Sequence, residues 1–383
     1  MYQPSEEFSF DPEYPEGLTK VGIPCLTRAQ VHAIRVYDFF SGCGGTSAGL
    51  QNAGMVPIVA LDMDGEALET FRLNFPDAHA IKSDIRTVLT RDLEPYFERQ
   101  RTVPILFSAC APCQPFSKQN RQKKEADARI SLLTELTRFL ERFRPELLFV
   151  ENVPGLQEFS EDEDGPLHDL VTVLDRLGYW HTARVILAQD YGVPQNRRRL
   201  VLVASAFGPI DLPEQTHGPG RAPYRTVWDA IGHLPHLEAG ESDTSVPNHY
   251  ACKLSPLNLE RIRAVGEGGG RLAWDERLQL DCHRTVKGYS DVYGRMSWGK
   301  PSPALTTRCI SLSNGRFGHP EQDRAISIRE AACIQTFPKD FIFVGTVNGM
   351  ARQIGNAVPP DLATSIGKAL IEHVDKYWSN TDG

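Results

Sequence analysis

The sequence predicts an α/β fold: a parallel sheet with helices on both faces, joined to a smaller, loop-rich region. Three observations lead there. From Ile34 to about Ala206, short apolar runs alternate with amphipathic segments, the pattern of β-strands connected by crossover helices. The apolar runs end in glycines, acids or polar residues, where α/β sheets gather their ligand-binding groups. After about Gly208 the chain becomes rich in Gly, Pro, His and Ser and loses clear periodicity.

The elements follow in order. Residues 1–33 contain several prolines and no clear period, and read as an extension packed on the surface. VYDFF, PIVALD, VPILFSA, ELLFVEN, TARVIL and RLVLVAS are expected as buried strands of a parallel sheet. GEALETFRLN, ARISLLTELTRFLERF and GPLHDLVTVLDRLG are expected as helices. In the second of these, Leu132, Leu133, Leu136, Phe139, Leu140 and Phe143 share one stripe. GEGGG at 266–270 signals a flexible loop. Regular patterning returns with ISIREAACIQTF (326–337) and a final helix from about Asp361 to Tyr377. The organisation is then residues 34–207 and 340–383 as one domain, with 208–339 as a second domain and its hinge.

Composition narrows the class. The chain has 383 residues, eight cysteines and a net charge of −8. It has no run of about 18 apolar residues, so no membrane span is expected. Its N-terminus lacks the basic start and apolar stretch of a secretory signal. Scattered cysteines in a long chain suit a reducing cytoplasm better than a disulfide framework. The acidic total argues weakly against a nucleic-acid partner, but the charge is unevenly spread. Residues 284–308 carry five bases and one acid, and Lys118, Arg121, Lys123 and Lys124 fall within one short stretch.

The first strand ends in Asp38-Phe39-Phe40-Ser41-Gly42-Cys43-Gly44-Gly45-Thr46. Gly42, Gly44 and Gly45 allow the backbone to approach a ligand closely. No Gly-Lys-Ser/Thr follows, so a pyrophosphate ligand is not favoured. The second strand ends at Asp62, an acid placed to accept from ribose hydroxyls. The third is followed by Ser83-Asp84-Ile85, where Asp84 could accept from an adenine amino group and Ile85 could pack on the base. Each acid alone is ordinarily a helix cap; a glycine turn and acids after successive strands together point to a nucleoside ligand.

The fourth strand leads into Cys110-Ala111-Pro112-Cys113-Gln114-Pro115. A zinc site needs further ligands, and no second Cys pair or His cluster accompanies this one. Cys113, held on rigid backbone before a basic loop, is instead a candidate nucleophile, since a thiol is intrinsically very nucleophilic once ionised. The fifth strand delivers Glu151, whose emergence from an apolar strand suits a general acid. Gln195-Asn196-Arg197-Arg198-Arg199 precedes the last core strand and can aim guanidinium groups at the same cleft.

Taken together these residues resemble the cytosine-C5 DNA methyltransferases of bacteria and phages, in the family's motif order, from Tyr37 to the last helix. Asp38 to Gly45 is similar to the first S-adenosylmethionine motif, Pro112-Cys113-Gln114 to the nucleophile motif, and Glu151-Asn152-Val153 to the general-acid motif. Gln195-x-Arg197-x-Arg199 resembles the arginine motif. Arg329-Glu330-Ala331-Ala332 through Gln335 and Phe337-Pro338 resembles the segment that organises the recognition domain. Gln353 to Pro360 resembles the last motif, which closes the cofactor pocket. Cys110-Ala111 stand where the family commonly has glycines, and residues 1–33 are not part of its core.

The resemblance implies a Rossmann-like S-adenosylmethionine-dependent methyltransferase sheet with a smaller target recognition domain at 208–339. It implies S-adenosyl-L-methionine as cofactor, S-adenosyl-L-homocysteine as product, and contacts from Phe40, Gly42, Gly44, Gly45, Asp62, Asp84, Ile85, Pro112, Asn356 and Ala357. It implies catalysis by Cys113, Glu151, Arg197, Arg199 and Gln114 on a cytosine flipped out of double-stranded DNA. Cys113 would attack C6, Glu151 would act at N3 and the amino group, Arg199 would hold O2, and Arg197 would support the site or a phosphate. Arg284, Lys287, Arg295, Lys300 and Arg308 are candidates for phosphate or guanine contacts. A monomer working as the modification arm of a restriction-modification system, beside a separately encoded endonuclease, is the expected setting. A tRNA cytosine methyltransferase is the rival within the fold, but the Cys-Phe-Thr segment of that branch is missing. A catalytically silent DNA-binding relative is the other rival, and intact Cys113, Glu151 and Arg199 speak against it.

Overall fold

A computed structural model describes residues 34–98, 103–111, 132–158, 165–281 and 291–378. Cys113, Pro112, Gln114, the 118–124 basic stretch, Arg284, Lys287 and the 1–33 extension lie outside the described residues. Seven strands form one sheet: β1 (Arg35–Phe39), β2 (Val56–Asp62), β3 (His79–Lys82), β4 (Ile105–Ala109), β5 (Leu147–Asn152), β6 (Trp180–Leu187) and β8 (Arg198–Ser205), in the order β3-β2-β1-β4-β5-β8-β6. The short β7 (Gln195–Asn196) leaves this sheet to pair with β9 (Ser302–Pro303).

The expected parallel sheet holds for β1 to β5 but not for the last strand. β8 runs antiparallel to both β5 and β6. The reason is the connection: only residues 188–197 separate β6 from β8, with no α-helix between them. A parallel return needs a crossover of a dozen or more residues, so this chain doubles back.

Both faces are covered. Period-two alternation along the strands sends Tyr37, Phe39, Phe107, Leu148, Val150, Leu200 and Leu202 to one side. There they meet α3 (Leu136–Phe143) and α4 (Pro166–Arg176), through Phe139, Leu140, Leu170 and Leu174. The helix expected across 128–143 is described only from Leu136, after a turn. Val36, Leu106, Phe149, Val201 and Val203 face the other way, against Leu50 of α1 (Gly45–Asn52) and Leu362, Ile366 and Leu370 of the last helix, α9 (Pro360–Trp378).

The glycine-rich second half is not a free lobe. Its helices α5 (Val227–Ile231) and α7 (Ile328–Ile334) share a core with α2 (Gly65–Asn74) and α8 (Val347–Asn356), through Leu68, Phe71, Ile231, Ile328, Phe337 and Ile354. Ser327 caps α7 in a reciprocal box with Glu330, which explains why this helix was visible as a pattern. A satellite core around Ile262 of α6 (Pro256–Arg263), Trp274, Tyr293 and Leu312 supports the loops beyond. Among the described residues, no helix is long and apolar enough to cross a membrane.

Candidate active site

The C-terminal edges of β1, β2 and β3 form the first half of the site. Phe40 sits at φ +61°, a conformation that side-chain-bearing residues rarely hold, and Gly42 and Gly44 follow at positive φ. A side chain at Gly44 would strike the ring of Phe75 at 2.5 Å, and one at Gly45 would strike the Val358 carbonyl at 2.5 Å. The loop is therefore pinned between α2 and the turn that follows α8. Asp62 holds it from the side: its Oδ2 accepts from Gly42 N at 2.8 Å and its Oδ1 from Asp64 N at 2.8 Å. Each carboxylate oxygen keeps a second acceptor position. Burial pushes the Asp62 carboxyl above its ordinary pKa. Ile85 is buried beneath the next strand end. Asp84 is engaged by its neighbour, Arg86, whose Nη2 donates to Oδ2 at 2.5 Å. That pair lowers the Asp84 pKa and competes for the acceptor assigned to an adenine amine.

Beneath the loop lies a carboxylate that sequence reasoning quoted but gave no role. Asp38 and Ser108 are register partners on β1 and β4. Asp38 accepts from Ser108 Oγ and from Ser47 Oγ of α1, each at 2.6 Å. It is 1% exposed, and burial raises its pKa from 3.8 to about 6. The only sequence signal was an acid directly followed by two phenylalanines.

The second half of the site is where β4, β5 and β8 end. Glu151 pairs in register with Val201. Arg199, two residues earlier on β8, is its diagonal neighbour on the same face. The two meet, Arg199 Nε lying 2.8 Å from Glu151 Oε1. The contact lacks hydrogen-bond alignment, and Glu151 Oε1 has no hydrogen-bond donor although it is buried. Next to it, Asn152 Nδ2 donates to the Ala111 carbonyl at 3.3 Å, anchoring the segment that leads to Cys113. Cys110 faces inward, its Sγ 3.5 Å from Thr46 Oγ1. Burial first, then the negative charges of Glu151 and Asp38, hold this thiol well above its ordinary pKa, which disqualifies it as a thiolate.

Arg197 lies inside, 2% exposed. Its Nη1 donates to the Leu305 carbonyl at 3.1 Å, and its Nη2 to the carbonyls of Gly355 at 3.1 Å and Ala357 at 3.3 Å. Of the two roles offered for it, support of the site fits this position and a phosphate contact does not. Arg295 needs the same correction. It is buried, donating to the carbonyls of Val265, Ile262, His319 and Gln322 and pairing with Asp323, so it is no candidate for DNA. Local charge counts do not distinguish a solvated arginine from one that ties loops together. Lys300 and Arg308 are exposed. Lys300 lines a cleft of about 320 Å³ with Asn196, Ser297 and Ser302.

A family model for C-5 cytosine-specific DNA methylases matches residues 34–372. The chain belongs to this family. Among its relatives are a Type II methylase of Herpetosiphon aurantiacus, 38% identical over 88% of this chain and 94% of that one. A Type II methyltransferase of Haemophilus parahaemolyticus is 33% identical over 93% of this chain and 90% of the other. In fold, the methylase resembles a prophage-encoded protein of Escherichia coli described as a DNA modification methyltransferase, with TM-score 0.68, 22% identity, and coverage of 90% and 100%. It also resembles the Dnmt2 methyltransferase of S. pombe, with TM-score 0.59, 18% identity, and coverage of 90% and 99%. The methylase is thus a cytosine-5 DNA methyltransferase, and family and fold imply use of S-adenosylmethionine.

Proposed function

We propose that this methylase flips a cytosine out of duplex DNA into the space beside Glu151 and Arg199, and methylates it at C5 with Cys113 as nucleophile. The observation that carries this reading is the pairing of buried Glu151 with half-buried Arg199, with a Glu151 oxygen lacking a hydrogen-bond donor. Buried acceptors in folded proteins are nearly always satisfied, and a base edge would satisfy this one.

The cradle also suits the cofactor. Ser41 Oγ, in the glycine loop, and Gln353 Oε1, on the helix against it, are both buried without hydrogen-bond partners. Gly42, Gly44 and Gly45 would let backbone lie along the ligand. Asp62 would accept from its ribose, Ile85 and Phe40 would flank its base, and Asp84, Pro112, Asn356 and Ala357 would complete the enclosure. When bound, S-adenosylmethionine supplies an electrophilic methyl group.

The chain's own residues do the rest. The Cys113 thiolate adds to C6 of the cytosine, breaking aromaticity and making C5 nucleophilic, which divides one hard step into two. Glu151 hydrogen-bonds N3 and the amino group and supplies a proton as negative charge develops, a contribution of roughly 10²–10⁴-fold. Arg199 donates to O2 while holding Glu151 in place. Gln114 borders the flipped base. A base, for which a water molecule suffices, then takes the C5 proton, the C5–C6 double bond re-forms and the C6–S bond breaks to release the Cys113 thiolate. Extrusion of the base costs a few kcal/mol, offset by contacts from residues 208–339, which form the recognition domain with Lys300, Arg308, Arg284 and Lys287 as phosphate or base contacts. The domain at 34–207 and 340–383 carries the chemistry. The setting is that of a cytoplasmic monomer paired with a separate restriction endonuclease.

The test combines the purified protein and radiolabelled S-adenosylmethionine with unmethylated genomic DNA, total tRNA in parallel, and Cys113→Ala as control. Label on C5 of DNA cytosine, absent in the variant, supports the reading, and sequencing the product gives the target site. Label on tRNA alone would refute it.

A further inference from the structure

The arginine strand and the turn that closes the glycine loop are joined by one buried polar plug. Gln195 Nε2 donates to Gln335 Oε1 at 2.6 Å, and Gln335 Nε2 donates to the Ala357 carbonyl at 2.5 Å. Leu305 N donates to Gln195 Oε1 at 3.0 Å. Arg197 adds its bonds to Leu305, Gly355 and Ala357. Both glutamines are fully buried. The Ala357 carbonyl therefore accepts from Arg197 and Gln335 together, while the methyl of Ala357 lies 3.0 Å from where a side chain at Gly45 would begin. On the other side of the turn, a side chain at Gly355 would collide with the Thr306 carbonyl.

Two features show that this plug does more than fill space. Arg197 is a buried guanidinium that donates to three backbone carbonyls and to Gln195 Oε1, its Nε has no hydrogen-bond partner, and among the described residues no carboxylate pairs with it directly. Burial of a charge on those terms is expensive, and an apolar side chain would pack there at lower cost. Thr336, next to Gln335, sits at φ +70°, and its Oγ1 accepts from Asp361 N at the start of α9. A β-branched residue so placed is strained, and the surrounding structure must hold it there.

We infer that Arg197, Gln195 and Gln335 are positioning residues that couple the cofactor pocket to the base-holding arginine, so that each site's occupancy tightens the other. The 355–358 turn is the shared wall. A ligand against the glycine loop presses on Ala357 and Val358, Ala357 is bonded to Arg197, and Arg197 sets the start of the strand that carries Arg199. The inference rests on the proposed placement of cytosine at Arg199 and Glu151.

The test is thermodynamic linkage. S-adenosylhomocysteine is titrated by calorimetry into the enzyme alone, and into the enzyme saturated with a duplex bearing the site found by sequencing the methylated product. In the wild type, DNA should tighten binding on the order of five-fold or more, and S-adenosylhomocysteine should tighten DNA by the same factor. Gln335→Met keeps the volume and removes both bonds; Arg197→Lys keeps the charge and loses the fork, and serves if the first variant does not fold. In either, the factor should fall towards one, a change that simple loss of stability does not produce in a protein that still binds each ligand. Variants that retain the wild-type factor, or a DNA-methylating wild type whose factor is one, overturn the coupling alone. A wild type that labels no DNA removes the underlying functional reading as well.

Discussion

Replacing Asp38 with Asn should make the methylase more stable at neutral pH, and by an amount that depends on pH in a defined way. Asp38 is 1% exposed, and among the described residues it has no cationic partner and two serine hydroxyls as its side-chain donors. Burial moves its pKa from 3.8 to about 6. Two pKa units correspond to about 3 kcal/mol of penalty on the ionised form in the folded state. An acid whose folded-state pKa is raised contributes most where both states are protonated, below about pH 4, and loses that contribution as pH rises through 6. Asn never ionises. Its Oδ1 can accept from one serine and its Nδ2 can donate to the other, whose hydroxyl rotates. The advantage of Asp38→Asn over wild type should therefore be small at pH 4, grow to about 3 kcal/mol by pH 7, and stay level beyond, or about 4 °C in Tm for a chain of this length. Paired melts from pH 4 to 8 measure the difference directly, because groups remote from Asp38 titrate alike in both proteins and its charged neighbour Asp62 is a smaller contributor than burial. A difference that is flat across that range would refute the assignment of the penalty to this carboxyl.

Other expectations follow from the same geometry. Gly45→Ala puts a methyl 2.5 Å from the Val358 carbonyl, which should cost about 1–3 kcal/mol and weaken S-adenosylhomocysteine binding in calorimetry. Arg295→Ala removes a donor from four backbone carbonyls and leaves Asp323 without this partner, and should destabilise by about 3 kcal/mol or more, whereas Arg308→Ala should leave Tm within about 1 °C and reduce the salt dependence of DNA binding by about one phosphate contact; the reverse pattern would place Arg295 at the DNA. Short iodoacetamide treatment at pH 8, read by peptide mass spectrometry, should modify Cys113 and spare Cys110, whose thiol is held protonated. Early alkylation of Cys110 would show that its pocket is open.

Much of this arrangement is legible before any coordinates. The helix Gly65–Asn74 coincides with the predicted segment because Asp64 caps it and its apolar positions repeat cleanly. The strand ends that deliver Asp62, Glu151 and Arg199 follow from period and from the acids and arginines that interrupt it. What was not legible depends on partners distant in sequence. Gln195 and Gln335 stand 140 positions apart, and nothing local marks either as half of a buried pair. The antiparallel course of β8 depends on the length of a connection rather than on its own residues, which look like those of any core strand. Arg197 and Arg199 are indistinguishable as letters; one lies under a turn of α8 and α9, the other against a carboxylate.

The seating of α9 on α1 has a consequence for how the enzyme is made. Thr364 Oγ1 donates to the Gly49 carbonyl at 2.9 Å, and Gly49 has no room for a side chain beneath the Pro360 carbonyl. The helix that follows the glycine loop is thus buried by a segment that the ribosome supplies about three hundred residues later. At roughly 5–20 residues per second, that leaves the apolar face of α1 uncovered for about 15 seconds or more. During that interval the nascent chain has a sheet but an unfinished pocket. Arrival of the last helix and capture of cofactor then become a single closing event, and a chain interrupted before residue 360 would present to chaperones the surface on which the cofactor loop is built.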